Sequence, residues 1–144
     1  QYTTAVKGVY DLVAKSVKVE EYAPSRFSAT ILYSFLNPEG IERTGKGLLG
    51  GIFHQVYFTS QKALVMVRAL VEAHGATWAT FAERLQSGRG GDFAQVLTEI
   101  LNEFVNTTAK AKVIHETETK GRDGEVIVLK RPRNRIVSFL RPRN

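Results

Sequence analysis

The sequence predicts an α+β fold in which a largely antiparallel sheet packs against helices. Two observations predict it. Residues 27–59 and 110–140 are dominated by strand signals, namely period-two alternation and β-branched or aromatic residues. Between them, residues 60–104 repeat their apolar residues at spacings of three and four, as helices do. The length of 144 residues suits one hydrophobic core, so we expect a single domain over residues 1–144.

The first part of the chain is predicted to form one helix and two strands. Residues 4–18 repeat valines at spacings of three and four, which predicts an amphipathic helix. Residues 27–36 are rich in aromatic and β-branched residues and predict a strand, which the turn sequence NPEG follows. The glycine-rich residues 44–51 then lead into a second extended segment at 52–59. An antiparallel hairpin is expected here.

Three helices are predicted next. Ser60 caps a helix that Gly75 ends, and a shorter helix opens at Thr77. Asp92 caps a third helix, whose apolar residues follow the i, i+3, i+4, i+7 rule. The predicted core stripe of the first helix is Ala63, Met66, Val67, Leu70 and Val71. That of the third is Phe93, Val96, Leu97, Ile100, Leu101 and Phe104.

From Lys110 the period returns to two. The segments KAKVIHETETK and EVIVLK flank GRDG, which predicts a hairpin. The sequence RPRN at residues 131–134 predicts a second turn before a last strand at 135–140. These segments form a basic C-terminal β-meander over residues 109–144, and the predicted element order is α-β-β-α-α-α-β-β-β.

The net charge of +6 is unevenly distributed. Residues 1–108 hold ten basic and ten acidic residues, whereas residues 109–144 hold ten basic and four acidic ones. A neutral body with a cationic end indicates a directed electrostatic role, such as binding a polyanion. Lys, Arg and Pro also protect sheet edges from aggregation, and the sequence leaves both readings open.

Arginine side chains suit phosphates because a guanidinium binds them bidentately, and strand aromatics can stack on exposed bases. Most of the strand aromatics are needed in the core, so only one or two are expected to be exposed. The basic candidates for binding are Lys130, Arg131, Arg133, Arg135, Arg141 and Arg143, helped by Arg122, Arg89 and Lys46. The aromatic candidates are Tyr33 and Tyr57.

Several function classes lack their signatures. The chain has no Cys, which excludes disulfides, thiolate metal sites and a Cys nucleophile. Its three His are scattered, so no metal and no cofactor are expected. The glycine-rich stretch lacks the Walker spacing, and Glu116-Thr-Glu-Thr-Lys lacks the upstream acid of a metal-dependent nuclease. No apolar run approaches the roughly 20 residues of a membrane helix. We therefore expect no enzyme and no membrane partner, and an intracellular or virion location.

The glycines between the second and third predicted helices allow two interpretations. Gly88, Gly90 and Gly91 are typical helix-ending and turn residues. However, the chain here reads LQSGRGGDFAQVLTEI, followed by TTAKAKVIHETETKGRDGEVIVLK. Over roughly residues 77–130, this sequence resembles a K-homology RNA-binding domain. That resemblance implies that residues 88–91 grip a nucleic-acid backbone, with Arg89 as the cation.

The sequence thus predicts a nucleic-acid-binding protein that prefers single-stranded DNA or RNA, has little base specificity and forms a homo-oligomer. The alternative is a self-assembling structural subunit, such as a coat, filament or tube protein, whose C-terminal arm contacts a neighbouring subunit.

Overall fold

The computed structural model describes residues 2–88 and 91–142. The fold is mixed α+β with a five-stranded antiparallel sheet and three helices, as predicted, but the strands come first along the chain. The elements are β1 (Tyr2–Thr3), β2 (Gly8–Ala23), β3 (Arg26–Phe35), a 3-10 turn (Pro38–Gly40), β4 (Leu48–Leu49), β5 (Ile52–Tyr57), α1 (Gln61–Ala73), α2 (Trp78–Ser87), α3 (Phe93–Asn102), β6 (Thr108–Lys120) and β7 (Val126–Phe139).

The main sheet has the strand order β5-β3-β2-β6-β7, so β5 and β7 are its edges. The helices cover one face, which we call the inner face. There Leu12, Ile31 and Val113 are buried, and they belong to one core with the helix residues Leu70 and Leu101. The two edge strands approach each other across this face, since the rings of His54 and Phe139 lie 5.2 Å apart. The inner face is therefore concave.

The predicted first helix is wrong, because residues 8–23 form strand β2. Tyr10, Leu12 and Ala14 follow period two and pair with the strands on either side. The register then shifts at Lys15, so that Val17 faces the same side as Ala14. A β-bulge of this kind inserts one residue and breaks the alternation. The valines whose spacing predicted a helix are in fact divided between the two faces of the strand, with Val17 on the inner face and Val9 and Val13 on the opposite one.

The predicted turn at residues 131–134 is also wrong, because β7 runs through it. Glu118 pairs with Val128 and Glu116 with Arg133, so the four residues 129–132 lie opposite Thr117 alone. Pro132 has no N–H for the ladder, and the strand accommodates it with this irregularity instead of reversing. The C-terminal region is thus one long hairpin around the predicted GRDG turn, not a three-stranded meander.

Local signals at the helix ends are confirmed. Ser60 Oγ accepts a hydrogen bond from Ala63 N at 3.1 Å, and Asp92 Oδ1 accepts one from Gln95 N at 3.2 Å. Gly75 follows α1 with φ of +86°, a conformation that favours glycine. The predicted stripe of α1 is wrong at Met66, whose side chain is exposed, while Val67, Leu70 and Val71 are buried.

The segment before β2 is held against the C-terminal hairpin chiefly by the side chain of Asn134. Asn134 Oδ1 accepts a hydrogen bond from Ala5 N at 2.9 Å, and its Nδ2 donates to the carbonyls of Ala5 at 2.9 Å and Ile114 at 3.1 Å. Thr4 adds a hydrogen bond between its Oγ1 and His115 Nδ1, which lie 2.8 Å apart. Asn134 thereby takes the place of a strand partner for the buried Ala5.

Candidate nucleic-acid interface

The outer face of the sheet, opposite the helices, is open to solvent. Strand residues alternate between the two faces, so each buried inner residue has outer neighbours on either side. Buried Leu12 pairs with buried Ala109, whereas the next pair along, Asp11 and Lys110, is exposed. Helices pack against the inner face only, and the outer residues of β6 and β7 are therefore available to a ligand.

Four cations on β6 and β7 form what we call the basic strip: Lys110, Lys112, Arg133 and Arg135. Glu116 lies among them with only 14% of its side chain exposed. Its two oxygens accept hydrogen bonds from Arg133 Nε at 2.7 Å and Arg135 Nε at 2.8 Å. Burial by itself would raise the pKa of Glu116, but the two arginine hydrogen bonds outweigh it and lower that pKa. Glu116 is therefore the ionised centre of a two-arginine cluster.

The basic strip keeps a positive excess after its ion pairs are counted. One carboxylate serves both arginines, so one positive charge of that cluster is left over. Lys110 Nζ lies 3.9 Å from Asp11 Oδ1, at the limit of an ion pair. In the part of the chain that the structure describes, no carboxylate lies within 4.0 Å of Lys112 Nζ. Exposed ion pairs are weak, so a phosphate can compete for these cations.

Lys130, Arg131 and Arg122 lie beyond the basic strip, toward the hairpin tip. Lys130 and Arg131 lie exposed in the irregular part of β7, and Arg122 lies exposed in the turn. Two other predicted cations have different surroundings. Arg141 Nη2 is 3.3 Å from Glu72 Oε1 of α1, so a carboxylate already pairs with it, and Arg141 lines a cleft together with Lys110 of the basic strip. Lys46 lines a shallow cleft beside the β1 segment instead of the sheet face.

Exposed aromatic side chains lie at the other end of the outer face. Phe53 and Tyr57 share that face of β5, and 72% of Phe53 is exposed. Tyr57 is exposed as predicted, and its ring meets that of Tyr22 edge to face with centroids 5.6 Å apart. We call Tyr22, Phe53 and Tyr57 the aromatic cluster. Sequence reasoning missed Phe53 and Tyr22, and also Lys110 and Lys112, although the latter two alternate with buried residues.

Tyr33 was predicted to be exposed, and this prediction is wrong because the side chain is fully buried. Tyr33 pairs with Ala14 of β2, so its side chain lies on the inner face of β3, among the core residues. The Tyr33 hydroxyl is 2.8 Å from His74 Nε2, and His74 Nδ1 is 2.7 Å from Thr107 Oγ1. Burial raises the pKa of Tyr33. Tyr33 therefore orders the core and cannot stack on a base.

The buried histidines predict a loss of stability in mild acid. Burial lowers the pKa of His74 to about 4, and burial with the nearby Arg135 lowers the pKa of His54 to about 4. Because the unfolded chain takes up protons first, near pH 6.5, the free energy of unfolding should fall as the pH drops below that value. We expect a loss on the order of 1–2 kcal/mol per histidine between pH 7 and 5, measured by urea unfolding. Replacement of His74 and His54 by Gln should flatten this dependence; an unchanged slope in that variant would contradict the assignment.

The glycine loop has a packing role at its first residue. Gly88 ends α2, and a Cβ at this position would lie 2.7 Å from Val96 Cγ1 of α3. Glycine therefore permits the close approach of α2 and α3. Gly91 has open space around its Cα. Arg89, Gly90 and Arg143 lie outside the described residues.

None of the helices in the described residues has the length and apolar character needed to cross a membrane. The same residues contain no group of three His, Asp or Glu side chains that could hold a metal ion. Comparison of the chain with protein-family models, curated proteins and solved structures finds no match.

Proposed function

We propose that this chain is a non-enzymatic nucleic-acid-binding protein that prefers single-stranded DNA or RNA and has little base specificity. The observation that carries the proposal is the pairing, on one open sheet face, of a basic strip with a net positive charge and an exposed aromatic cluster. Phosphates would contact the cations, and unpaired bases would stack on Phe53 and Tyr57. Neither contact reads a base edge, which is why low specificity is expected.

The layout of the face supports a single strand over a duplex. The aromatic cluster lies chiefly on β5, and the basic strip lies three to four strands away. At a strand spacing of about 4.8 Å, the path between them along the curved outer face is about 14–19 Å long. A flexible single strand can cross this convex surface and turn its bases toward the rings, whereas the bases of a duplex are stacked on each other. We expect a site of roughly 4–6 nucleotides, within the range of known single-strand binders.

Salt dependence tests the proposal directly. With about four phosphates contacted, log K should fall against log salt with a slope of about −3 for a single strand. The measurement is fluorescence anisotropy of labelled oligo(dT) and oligo(U) between about 50 and 200 mM salt, with a duplex of equal length as the comparison. Tighter binding of the duplex would contradict the single-strand preference. Absence of binding at low salt would contradict the function.

The shared carboxylate allows a gain-of-function prediction. Glu116→Gln removes the charge that Arg133 and Arg135 share, while an amide oxygen can still accept a hydrogen bond. We expect the affinity for oligo(dT) to rise about fivefold at low salt, with a steeper salt dependence, because both guanidiniums become available to phosphate. Glu99→Gln on α3 is the matched control and should leave the affinity unchanged. If Glu116→Gln and the unchanged protein bound oligo(dT) with equal affinity, Arg133 and Arg135 would not contact the nucleic acid.

The resemblance to K-homology domains stays a separate proposal. It would add the loop at residues 88–91 as a grip for the nucleic-acid backbone. The positions of α2 and α3 on either side of this loop are compatible with such a grip. The close packing of Gly88 against Val96 also explains, without any ligand, why a glycine occupies position 88.

A self-assembling structural subunit is the second candidate. It is favoured by the free edge of β7 and by apolar side chains exposed on that edge. Light scattering of the protein without nucleic acid separates the two functions: large assemblies support the structural subunit, and a small discrete species supports the first proposal.

A further inference from the structure

The distal part of the C-terminal hairpin stands apart from the rest of the sheet. Strand β2 pairs with β6 only as far as the pair Gly8 and Val113. Beyond the irregularity opposite Thr117, β6 and β7 pair with each other alone, from Glu118 with Val128 to Lys120 with Val126. We call residues 118–128 the β-arm. Within the described residues, it is a two-stranded ribbon with one free edge on each side.

The β-arm exposes an unusual amount of apolar surface. Val126, Ile127 and Val128 are consecutive, and 60%, 43% and 76% of their surfaces are exposed. Two-stranded ribbons are only marginally stable in water, and β-branched side chains belong in paired strands. Natural edges are usually protected by Lys, Arg or Pro. Lys130 to Pro132 protect the base of the arm in this way, but the three apolar residues have no such protection.

We propose that residues 125–131, which form the β7 edge of the β-arm and its base, pair with the same residues of a second copy of this chain, edge to edge and antiparallel, with Val128 at the two-fold axis. The charges of β7 are self-complementary in this register. Glu125 comes opposite the second copy's Arg131, and the same pair recurs on the other side of the axis. The contacts between the two ion pairs are apolar. Ile127 of one copy lies opposite Leu129 of the other, and the aliphatic stem of Lys130 lies opposite Val126.

A copy of the chain fits this edge better than a polyanion does. The segment 118–131 carries Lys120, Arg122, Lys130 and Arg131 together with three acids, so its charge is nearly balanced. A phosphate backbone would meet those acids and would leave the valines in water. Pairing with a second copy covers the valines and joins opposite charges. About seven residues per chain make a small interface, so we expect a reversible dimer with a Kd on the order of micromolar.

Single cysteines test the register, because the natural chain contains none. Antiparallel pairs place directly opposite Cα atoms about 4.5–5.5 Å apart, within the range that a disulfide spans. Val128→Cys should therefore form a covalent dimer on mild oxidation without nucleic acid. Val65→Cys on α1, with a comparable exposure of 67%, should remain monomeric. Equal cross-linking of the two variants, or none at position 128, would overturn the proposal.

A charge swap tests the ion pairs. Glu125→Arg should weaken the dimer about tenfold in sedimentation equilibrium, because it places two arginines opposite each other at both ends of the interface. Adding Arg131→Glu in the same chain should restore the original affinity. Failure of the second change to restore it would overturn the register. Neither measurement contains nucleic acid, so its failure leaves the proposed function untouched.

Discussion

Combined replacement of Lys112, Arg133 and Arg135 by alanine should reduce the affinity for oligo(dT) about 100-fold near 100 mM salt. These three cations form most of the basic strip, and phosphate contact supplies most of the affinity of a binder with little base specificity. Three lost contacts should also reduce the salt slope by about 2. Glu116 then adds a negative charge to the same surface. Anisotropy titrations at several salt concentrations measure both quantities.

The matched control removes three cations from the helices. Lys62, Arg68 and Arg84 are exposed on α1 and α2, and their replacement by alanine lowers the net charge by the same amount. We expect less than about a threefold loss, because general electrostatic steering is weak without local contact. Equal losses in the two variants would mean that net charge, and not the outer face, drives binding. Phe53→Ala separates stacking from charge: it should reduce affinity about fivefold or more without changing the salt slope.

Replacement of Asn134 by alanine should lower the free energy of unfolding by about 3–4 kcal/mol, since it leaves the amide and carbonyl of Ala5 without their side-chain partner. Ala5 is fully buried, so water cannot replace the lost hydrogen bonds without opening the structure. Urea unfolding gives the free energy, and hydrogen exchange at the Ala5 amide should accelerate. The change also removes the hydrogen bond to the Ile114 carbonyl.

The control for this prediction is Asn102→Ala, at the exposed end of α3. Surface changes of this kind usually alter stability by less than about 0.5 kcal/mol. Asn134→Asp adds a second comparison, because it keeps an acceptor for Ala5 N but loses the donor to both carbonyls. A small effect of Asn134→Ala, similar to that of Asn102→Ala, would show that the segment before β2 is held by other contacts.

The shared carboxylate has a consequence for the strength of the proposed binding. Glu116 offsets part of the charge of Arg133 and Arg135 and fixes both side chains on the outer face. A fixed guanidinium loses less conformational freedom when a phosphate arrives, but it must first give up part of its contact with Glu116. We therefore expect moderate affinity with marked salt sensitivity, and the Glu116→Gln variant measures the balance of the two effects.

Local chemistry accounts for the parts of the fold that were predicted correctly. Ser60, Asp92 and Gly75 act within one helical turn of themselves, so their roles are readable from neighbouring residues. Strand β3 alternates without interruption, and the GRDG hairpin depends on a few adjacent residues. In the candidate site, the cationic character of β7 and the exposure of Tyr57 followed from composition and pattern.

The wrong predictions concern features that depend on contacts between residues far apart in the chain. The bulge at Lys15 is defined by pairing with β3, and β7 passes through Pro132 because β6 holds it on both sides. Nothing near Tyr33 in the sequence shows that His74 will be its partner. Likewise, the pairing of Arg141 with Glu72 joins residues far apart in the chain.

The sequence by itself determined the α+β class, the three helices with their ends, and the concentration of positive charge after residue 108. These properties depend on residue type and on spacing within a few positions. Only the tertiary structure decided which cations share the outer face, which arginines a carboxylate already holds, which tyrosine is buried, and where the β-arm leaves the sheet. Those outcomes depend on strand register and helix packing, which arise from contacts between residues that are remote in the chain.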